Sequence, residues 1–411
     1  MQNRKIRDYG IKVGSFPTGK NNSITDVKGV RVGHATLDDG SIKTGVTAIL
    51  PHEGNIFKDK VIAACHVING FGKTTGLIQI EELGTIETPI ILTNTLSVGA
   101  AHEALVKYML NQNVDIGNTT GTINPIICEC NDGDINDIRG LHIRQEHIYE
   151  AIEKCDVEFD EGNVGAGTGM ICYDLKGGIG SSSRIIELGN SQYTIGILVL
   201  SNFGSLEDFV LNGDHIGPRL MNKIDSTYVT EDKGSIIAIL ATDIPLSSRQ
   251  LKRVLKRIYP GISRTGSYTG NGSGEIAIGF STANRIKHYE EDDVVNIKVI
   301  NENKINEIFK ATVEATEEAI LNSLICSNST IARDGKKVYS LKDLLHEEGE
   351  EMIEKEQEKI CPLCGQNNNC QHGEVECWCT TIKVPKHILD LVPEDKKGKA
   401  CICKSCIEKY S

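Results

Sequence analysis

The sequence predicts an α+β protein, a four-layer α/β/β/α sandwich followed by a small cysteine-rich module. Three observations carry this expectation. "TIGILVL" (194–200) and "SIIAILAT" (235–242) are continuous apolar runs, fit for strands buried on both faces. Such strands need cover on both sides, which helices outside two stacked sheets supply. Finally, eight of the 14 cysteines crowd into residues 361–406, apart from the rest.

Residues 1–335 read as one mixed body, enough chain for a single large core. "GEIAIGFST" (274–282) alternates large Ile276, Ile278 and Phe280 with small Ala277, Gly279 and Ser281, a strand with one crowded face. Before it, Ser247 and Gln250 have capping-box spacing, and Leu251, Val254, Leu255 and Ile258 form a helical stripe that Pro260 is expected to stop. A second helix is expected over about 304–325, with Ile305, Ile308, Phe309, Val313, Ile320 and Leu324 inward. Residues 336–360 read as a charged helical linker; 341–360 alone carry 8 acidic and 3 basic side chains. Residues 361–411 form the separate module.

The net charge of −12 excludes a broad nucleic-acid surface. No apolar run approaches the ~20 residues that span a bilayer. The start, "MQNRKIRDYGIKVG", has no apolar segment of a secretory signal, so a cytoplasmic protein is expected. In a reducing compartment a cysteine cluster suggests metal binding more than disulfides.

Common catalytic signatures are missing. There is no G-x-S-x-G, "AHEAL" (101–105) is not H-E-x-x-H, and "GAGTG" (165–169) is not a dinucleotide fingerprint. A geometric coincidence remains. If strands 194–200 and 235–242 are antiparallel neighbours, Asn202 at the end of one lies beside Ser235 at the start of the other. The strand from 274 starts at "NGSGE", so Ser273 and Glu275 can reach the same edge. No histidine has a claim as base for Ser235; His215 is nearest in sequence. Cleavage between Gly234 and Ser235 would solve this. It frees an α-amine with an intrinsic pKa of about 7.7–8.0, able to take the hydroxyl proton. Gly234 has no Cβ to block attack on its carbonyl, and the Asn202 amide could hold the oxyanion. The blander reading is a Gly-Ser turn and an Asn that satisfies a loop.

Whole motifs decide between them. The body resembles the DmpA/β-aminopeptidase family of self-cleaving, N-terminal-nucleophile aminopeptidases, from about residue 22 to 325. Matching blocks include "ITDVKGVRVGHATL", "VINGFGKTTGL", "TPIILTNTLSVGAAHEAL", "ECNDGDINDIRGLH", "VGAGTGMICYDLKGGIGSSSR", "LVLSNFG", "GSIIAILATDIPL" and "NGSGEIAIGFST". The resemblance implies a DmpA/ornithine-acetyltransferase-like sandwich that cuts itself at Gly234-Ser235. It implies Ser235 as nucleophile, Asn202 in the oxyanion hole, Ser273 and Glu275 as supports, and Glu129 near the substrate's free amine. The substrate would be a small peptide or amide, no cofactor would take part, and the cleaved pairs would form a tetramer. Two positions depart. Asn131 stands where members often carry an aromatic residue, and Lys73 replaces an acidic residue common in "NGxGE". Glu129 and Asp132 also allow a plainer reading, as a capped, solvated loop. The competing functions are acyl transfer to an amine on the same scaffold, and a non-catalytic scaffold for the module.

The tail reads "CPLCGQNNNCQHGEVECWC…CICKSC" and resembles the cysteine-rich CWC domains. Cys361, Cys364, Cys370, Cys377, Cys379, Cys401, Cys403 and Cys406, with His372 nearby, offer one or two tetrahedral zinc sites. With one Trp and little core, the module is expected to draw folding energy from a structural metal. A merely reduced or redox-active cluster is the alternative. A protein partner is the expected role, since 7 Lys and 6 acidic residues leave no basic footprint.

Overall fold

A computed structural model describes residues 4–224, 234–345, 361–366, 368, 384–393, 397 and 400–410. The chain divides into two compact units, 1–342 and 343–411.

The first unit contains twelve strands that set the frame. They are β1 Arg31–Asp39, β2 Ile42–Leu50, β3 Asp59–Gly70, β4 Thr85–Ile86, β5 Ile90–Asn94 and β6 Ile126–Cys130, then β7 Ile171–Cys172, β8 Leu175–Lys176, β9 Gly178–Leu188, β10 Ser191–Asn202, β11 Ser235–Thr242 and β12 Gly274–Lys287. β1-β2-β5-β6 form one sheet and β4-β3-β12-β11-β10-β9 a second. The helices are α1 Leu77–Leu83, α2 Val98–Gln112, α3 Gln145–Glu153, α4 Gly217–Met221, α5 Ser248–Leu255, α6 Ile258–Ser263 and α7 Ile305–Ile325. α2 and α3 cover the four-stranded sheet, while α5 and α7 cover the six-stranded one. This is the α/β/β/α sandwich.

Strand alternation explains the layering. Leu198, Leu200, Ile237, Ile239, Ile276, Ile278 and Phe280 share one face of their strands and belong to one buried cluster with Ile49 and Leu92 of the other sheet. The opposite face of β12 is small because helix α5 presses on it. A Cβ at Gly279 would stand 2.8 Å from Leu255.

Pro260 does not end the helix as the sequence suggested. α5 stops at Leu255, and Pro260 sits in the first turn of α6, where its missing N–H costs nothing. In α7, Phe309 and Val313 are only half-buried. The Arg257 guanidinium lies 3.9 Å from the Phe309 ring centroid and covers it.

β9 owes its burial to hydrogen bonds. Ser181, Ser182, Ser183 and Arg184 are buried on both faces of the strand. Ser181 Oγ donates to Ile197 O at 2.7 Å, and Ser182 Oγ donates to Ala315 O at 2.6 Å. Arg184 meets Glu318 at 2.7 Å and Glu314 at 3.4 Å, and also donates to the carbonyls of Val13, Ser183 and Glu314. A fully bonded buried ion cluster therefore ties β9 to α7 and the N-terminal segment.

Lys337–Val338 pairs with Thr330–Ile331, and residues 346–360, most of the expected linker helix, lie outside the described residues. In the second unit Lys386–Leu389 (α8) and Lys404–Tyr410 (α9) flank a core of Cys361, Ile388, Val392, Ile402, Cys403, Cys406 and Ile407. Among the described residues no helix is long and apolar enough to cross a membrane.

Removing one member of a buried ion cluster leaves its partners charged and unmatched. Arg184→Met is expected to lower the unfolding free energy by roughly 3–5 kcal/mol, read by urea denaturation.

Candidate active site

Three strand ends meet at one end of the six-stranded sheet. β10 and β11 are antiparallel with Asn202 opposite Ser235, and β11 and β12 are parallel with Ser235 opposite Gly274. The juxtaposition expected from the apolar runs is present. Ser235, Asn202, Ser273 and Glu275 are all buried. Ser273 Oγ has no hydrogen-bond partner among the described residues. Residue 275 begins a β-bulge against β3, which sets Glu275 apart from the regular alternation that follows.

Gly234 is fixed by lack of space. A Cβ there would come within 2.0 Å of Asn202 O and 2.5 Å of Phe203 Cα. Backbone cannot yield as a side chain can, so only glycine fits. Gly234 O accepts the Gly274 N–H at 3.1 Å.

The Asn202 amide is held at both ends. Its Oδ1 accepts the Ile171 N–H at 2.9 Å and its Nδ2 donates to Asn131 O at 3.1 Å. Nδ2 has a second hydrogen, which leaves a donor for an oxyanion. Asn131 therefore serves Asn202 through its main chain. Its side chain is exposed and accepts the Gly133 N–H at 2.9 Å.

Glu129 is buried at 4% exposure. Its Oε1 accepts the Lys73 N–H at 2.8 Å, and its Oε2 accepts from Thr95 Oγ1. Asp132 is 1% exposed, so the solvated-loop reading of this pair is wrong. Asn136 Nδ2 donates to Asp132 Oδ1 at 3.0 Å, yet burial still pushes the carboxyl up to about 6. His215 stands on an exposed loop with Nε2 2.6 Å from Glu207 O, so it offers Ser235 no base.

Several neighbours were not singled out from sequence. Cys130 is fully buried against Leu200 O at 3.6 Å and has the Ser235 side chain among its hydrogen-bond partners. Burial and the adjacent Glu129 push its thiol well up. Asn69 Nδ2 donates to Ser273 O and, at 3.1 Å, to Gly270 O, clamping the turn before β12. Lys176 is completely buried and donates to the carbonyls of Gly167, Met170 and Gly177 at 2.7–2.9 Å. Burial pushes its ammonium down to about 7. Those bonds hold the loop whose Ile171 N–H orients Asn202. The only signal available was that all three lie inside the matched blocks.

In the second unit the sulfurs of Cys361, Cys364, Cys403 and Cys406 all lie within 4.8 Å of one another, a set able to bind a metal ion. Cys401 is not part of it. Cys370, Cys377 and Cys379 lie outside the described residues.

Residues 22–338 match peptidase family S58, and residues 361–408 match the cysteine-rich CWC family. The chain is 35% identical over 373 residues to the β-peptidyl aminopeptidase BapA of Sphingosinicella microcystinivorans, covering 85% of this chain and 92% of that one. Among solved structures, a Burkholderia sp. β-aminopeptidase superposes with a TM-score of 0.77 at 36% identity, over 84% of this chain and 99% of that one. The L-aminopeptidase D-Ala-esterase/amidase of Ochrobactrum anthropi, a serine aminopeptidase with a variant of the Ntn hydrolase fold, gives 0.77 at 34%, with the same coverage. The PH0078 protein of Pyrococcus horikoshii gives 0.80 at 54% identity, over 84% and 98%.

Because burial in the folded state raises the Asp132 carboxyl from its ordinary 3.8 to about 6, this group's contribution to stability is full below pH 3.8 and lost as pH rises through 6. Asp132→Asn keeps the shape without the charge. It is expected to melt higher than wild type at pH 7.5, by up to roughly 3 kcal/mol of stability, with the advantage vanishing near pH 4.

Proposed function

We propose how this chain, which belongs to peptidase family S58 and is a serine-type aminopeptidase, makes and uses its nucleophile. Ser235 Oγ attacks the Gly234 carbonyl, the peptide nitrogen leaves as the α-amine of Ser235, and water hydrolyses the resulting ester. The cut frees the amine that then serves Ser235 as base. The observation that carries this reading is the Gly234 carbonyl itself, bound to Gly274 N–H at 3.1 Å at the strand edge where Asn202 stands opposite Ser235. The atom that must bear negative charge already faces a fixed donor.

In turnover a peptide or amide takes the place of the departed Gly234 end. Its carbonyl oxygen meets the Gly274 N–H and the spare Asn202 N–H. Its free N-terminal ammonium is held by Glu129, whose two oxygens are each fixed by one bond and still accept another. Ser235 Oγ forms the acyl-enzyme, the amine product leaves with the proton taken by the α-amine, and water releases the acid. Ser273 and Glu275 orient the new N-terminus, and Asn69 and Lys176 are positioning residues. The cleaved pairs assemble as a homotetramer.

For the tail we read zinc. Tetrahedral sulfur ligation at about 2.3 Å gives edges of roughly 3.8 Å. Cys364 and Cys403 sulfurs are 3.7 Å apart. Two C-x2-C pairs supply four thiolates and no carboxylate, the donor set of a closed structural site.

Intact mass tests the cut. Wild type is expected as two chains of about 26 and about 19 kDa from the 44.9 kDa precursor, and Ser235→Ala as one. A single full-length chain from active wild type sinks the mechanism. Metal content of the purified protein is expected near one zinc per chain, falling by at least tenfold in Cys406→Ser. Full zinc in that variant would remove the four-cysteine site.

A further inference from the structure

The proposed site carries a cation, Lys73, without an anionic partner among the described residues. Lys73 Nζ lies 4.8 Å from the centroid of the Phe71 ring, and that ring is 62% exposed. Lys73 has no carboxylate partner for its ammonium among the described residues. Its main chain is nonetheless bolted to the site, since its N–H is the donor to Glu129 Oε1. The intervening Gly72 touches both Glu129 and Ile276, with a Cβ position 3.4 Å from each. Phe71 O packs so closely on Gly274, the register partner of Ser235, that a Cβ there would come within 2.6 Å of it. Phe71, Gly72 and Lys73 are thus one wall running from the nucleophile, past the buried carboxylate, to an exposed cation on an aromatic face.

Resting on the reading of Ser235 and Glu129 above, we propose that Lys73 and Phe71 form a carboxylate-reading subsite. It selects short substrates carrying an ammonium for Glu129 and an anionic group on the released residue or on the residue after it. The negative carboxylate of Glu129 and the positive charge of Lys73 are presented by one wall, opposite in sign to the two ends of a short zwitterionic peptide. The Phe71 ring faces the Lys73 ammonium and limits the conformations the side chain must give up on binding. The anionic group has two sources, the free C-terminal carboxylate of a dipeptide or an acidic side chain on the released residue.

The test compares kcat/KM for alanyl-alanine against alanyl-alanine amide, and for glutamyl p-nitroanilide against glutaminyl p-nitroanilide. Wild type, Lys73→Arg, Lys73→Met and Lys73→Glu are run at low and high salt. A charge-assisted contact at a partly exposed site predicts a wild-type preference of about tenfold for the carboxylate member of at least one pair. The ratio should hold in Lys73→Arg, fall near one in Lys73→Met, invert in Lys73→Glu and shrink with salt. The pair that responds identifies the source. Ratios equal in wild type and Lys73→Met for both pairs overturn the subsite while leaving Ser235-dependent hydrolysis intact. Calorimetric binding of the two dipeptides separates the two claims. Discrimination that depends on Lys73, without hydrolysis that depends on Ser235, sinks the mechanism and keeps the subsite. Absence of both binding and hydrolysis sinks both.

Discussion

The contact of residue 234 with the Asn202 main chain governs this molecule. No side chain fits there, because the Asn202 carbonyl and Phe203 Cα occupy the space a Cβ would need. That closeness seats the start of β11 against the end of β10 and fixes Asn202 opposite Ser235. It also fixes Ser235 opposite Gly274 across a parallel ladder. A slip of one residue would turn every side chain of β11 to the wrong layer. The interleaved core and the serine's position are therefore set by one register.

Around this edge the protein buries polar groups and bonds most of them, with the Ser273 hydroxyl left without a partner among the described residues. Lys176 donates to three carbonyls and Asn202 bonds through both ends of its amide, and toward the far end of β9 Arg184 meets two carboxylates and three carbonyls. Fully bonded networks of this kind are rigid, because any movement leaves a desolvated group alone. Rigidity has a use here. A donor aimed at a developing oxyanion helps only if it need not reorganise during the reaction.

This division explains what could be read from the chain. The runs at 194–200 and 235–242 are apolar on both faces, and once they pair antiparallel their ends place Asn202 beside Ser235. The alternation in 274–282 shows which face of β12 is crowded. β9 escaped notice because "SSSR" looks like a loop, and its burial depends on partners in α7 and the N-terminal segment more than 130 residues away. Pro260 misled because a proline in a first turn and a proline that ends a helix look alike from sequence. Cys130, Asn69 and Lys176 act across sheets or through carbonyls, and local spacing does not record such contacts.

The same geometry links the two reactions proposed for Ser235. Before the cut, Gly274 N–H is an ordinary ladder donor, and Gly234 O gives it a partner. With the Gly234 end gone, as the proposed cut requires, that N–H would be a buried donor without an acceptor, and such a group is costly to leave unmade. A substrate carbonyl restores the bond. The vacated ladder position therefore favours an incoming acyl group placed as the chain's own was, with its carbonyl carbon within reach of Ser235 Oγ. On the proposed mechanism the uncut chain acts as the template for its own substrates. The aim of the attack is set by the strand register that folds the sheet, before any substrate arrives.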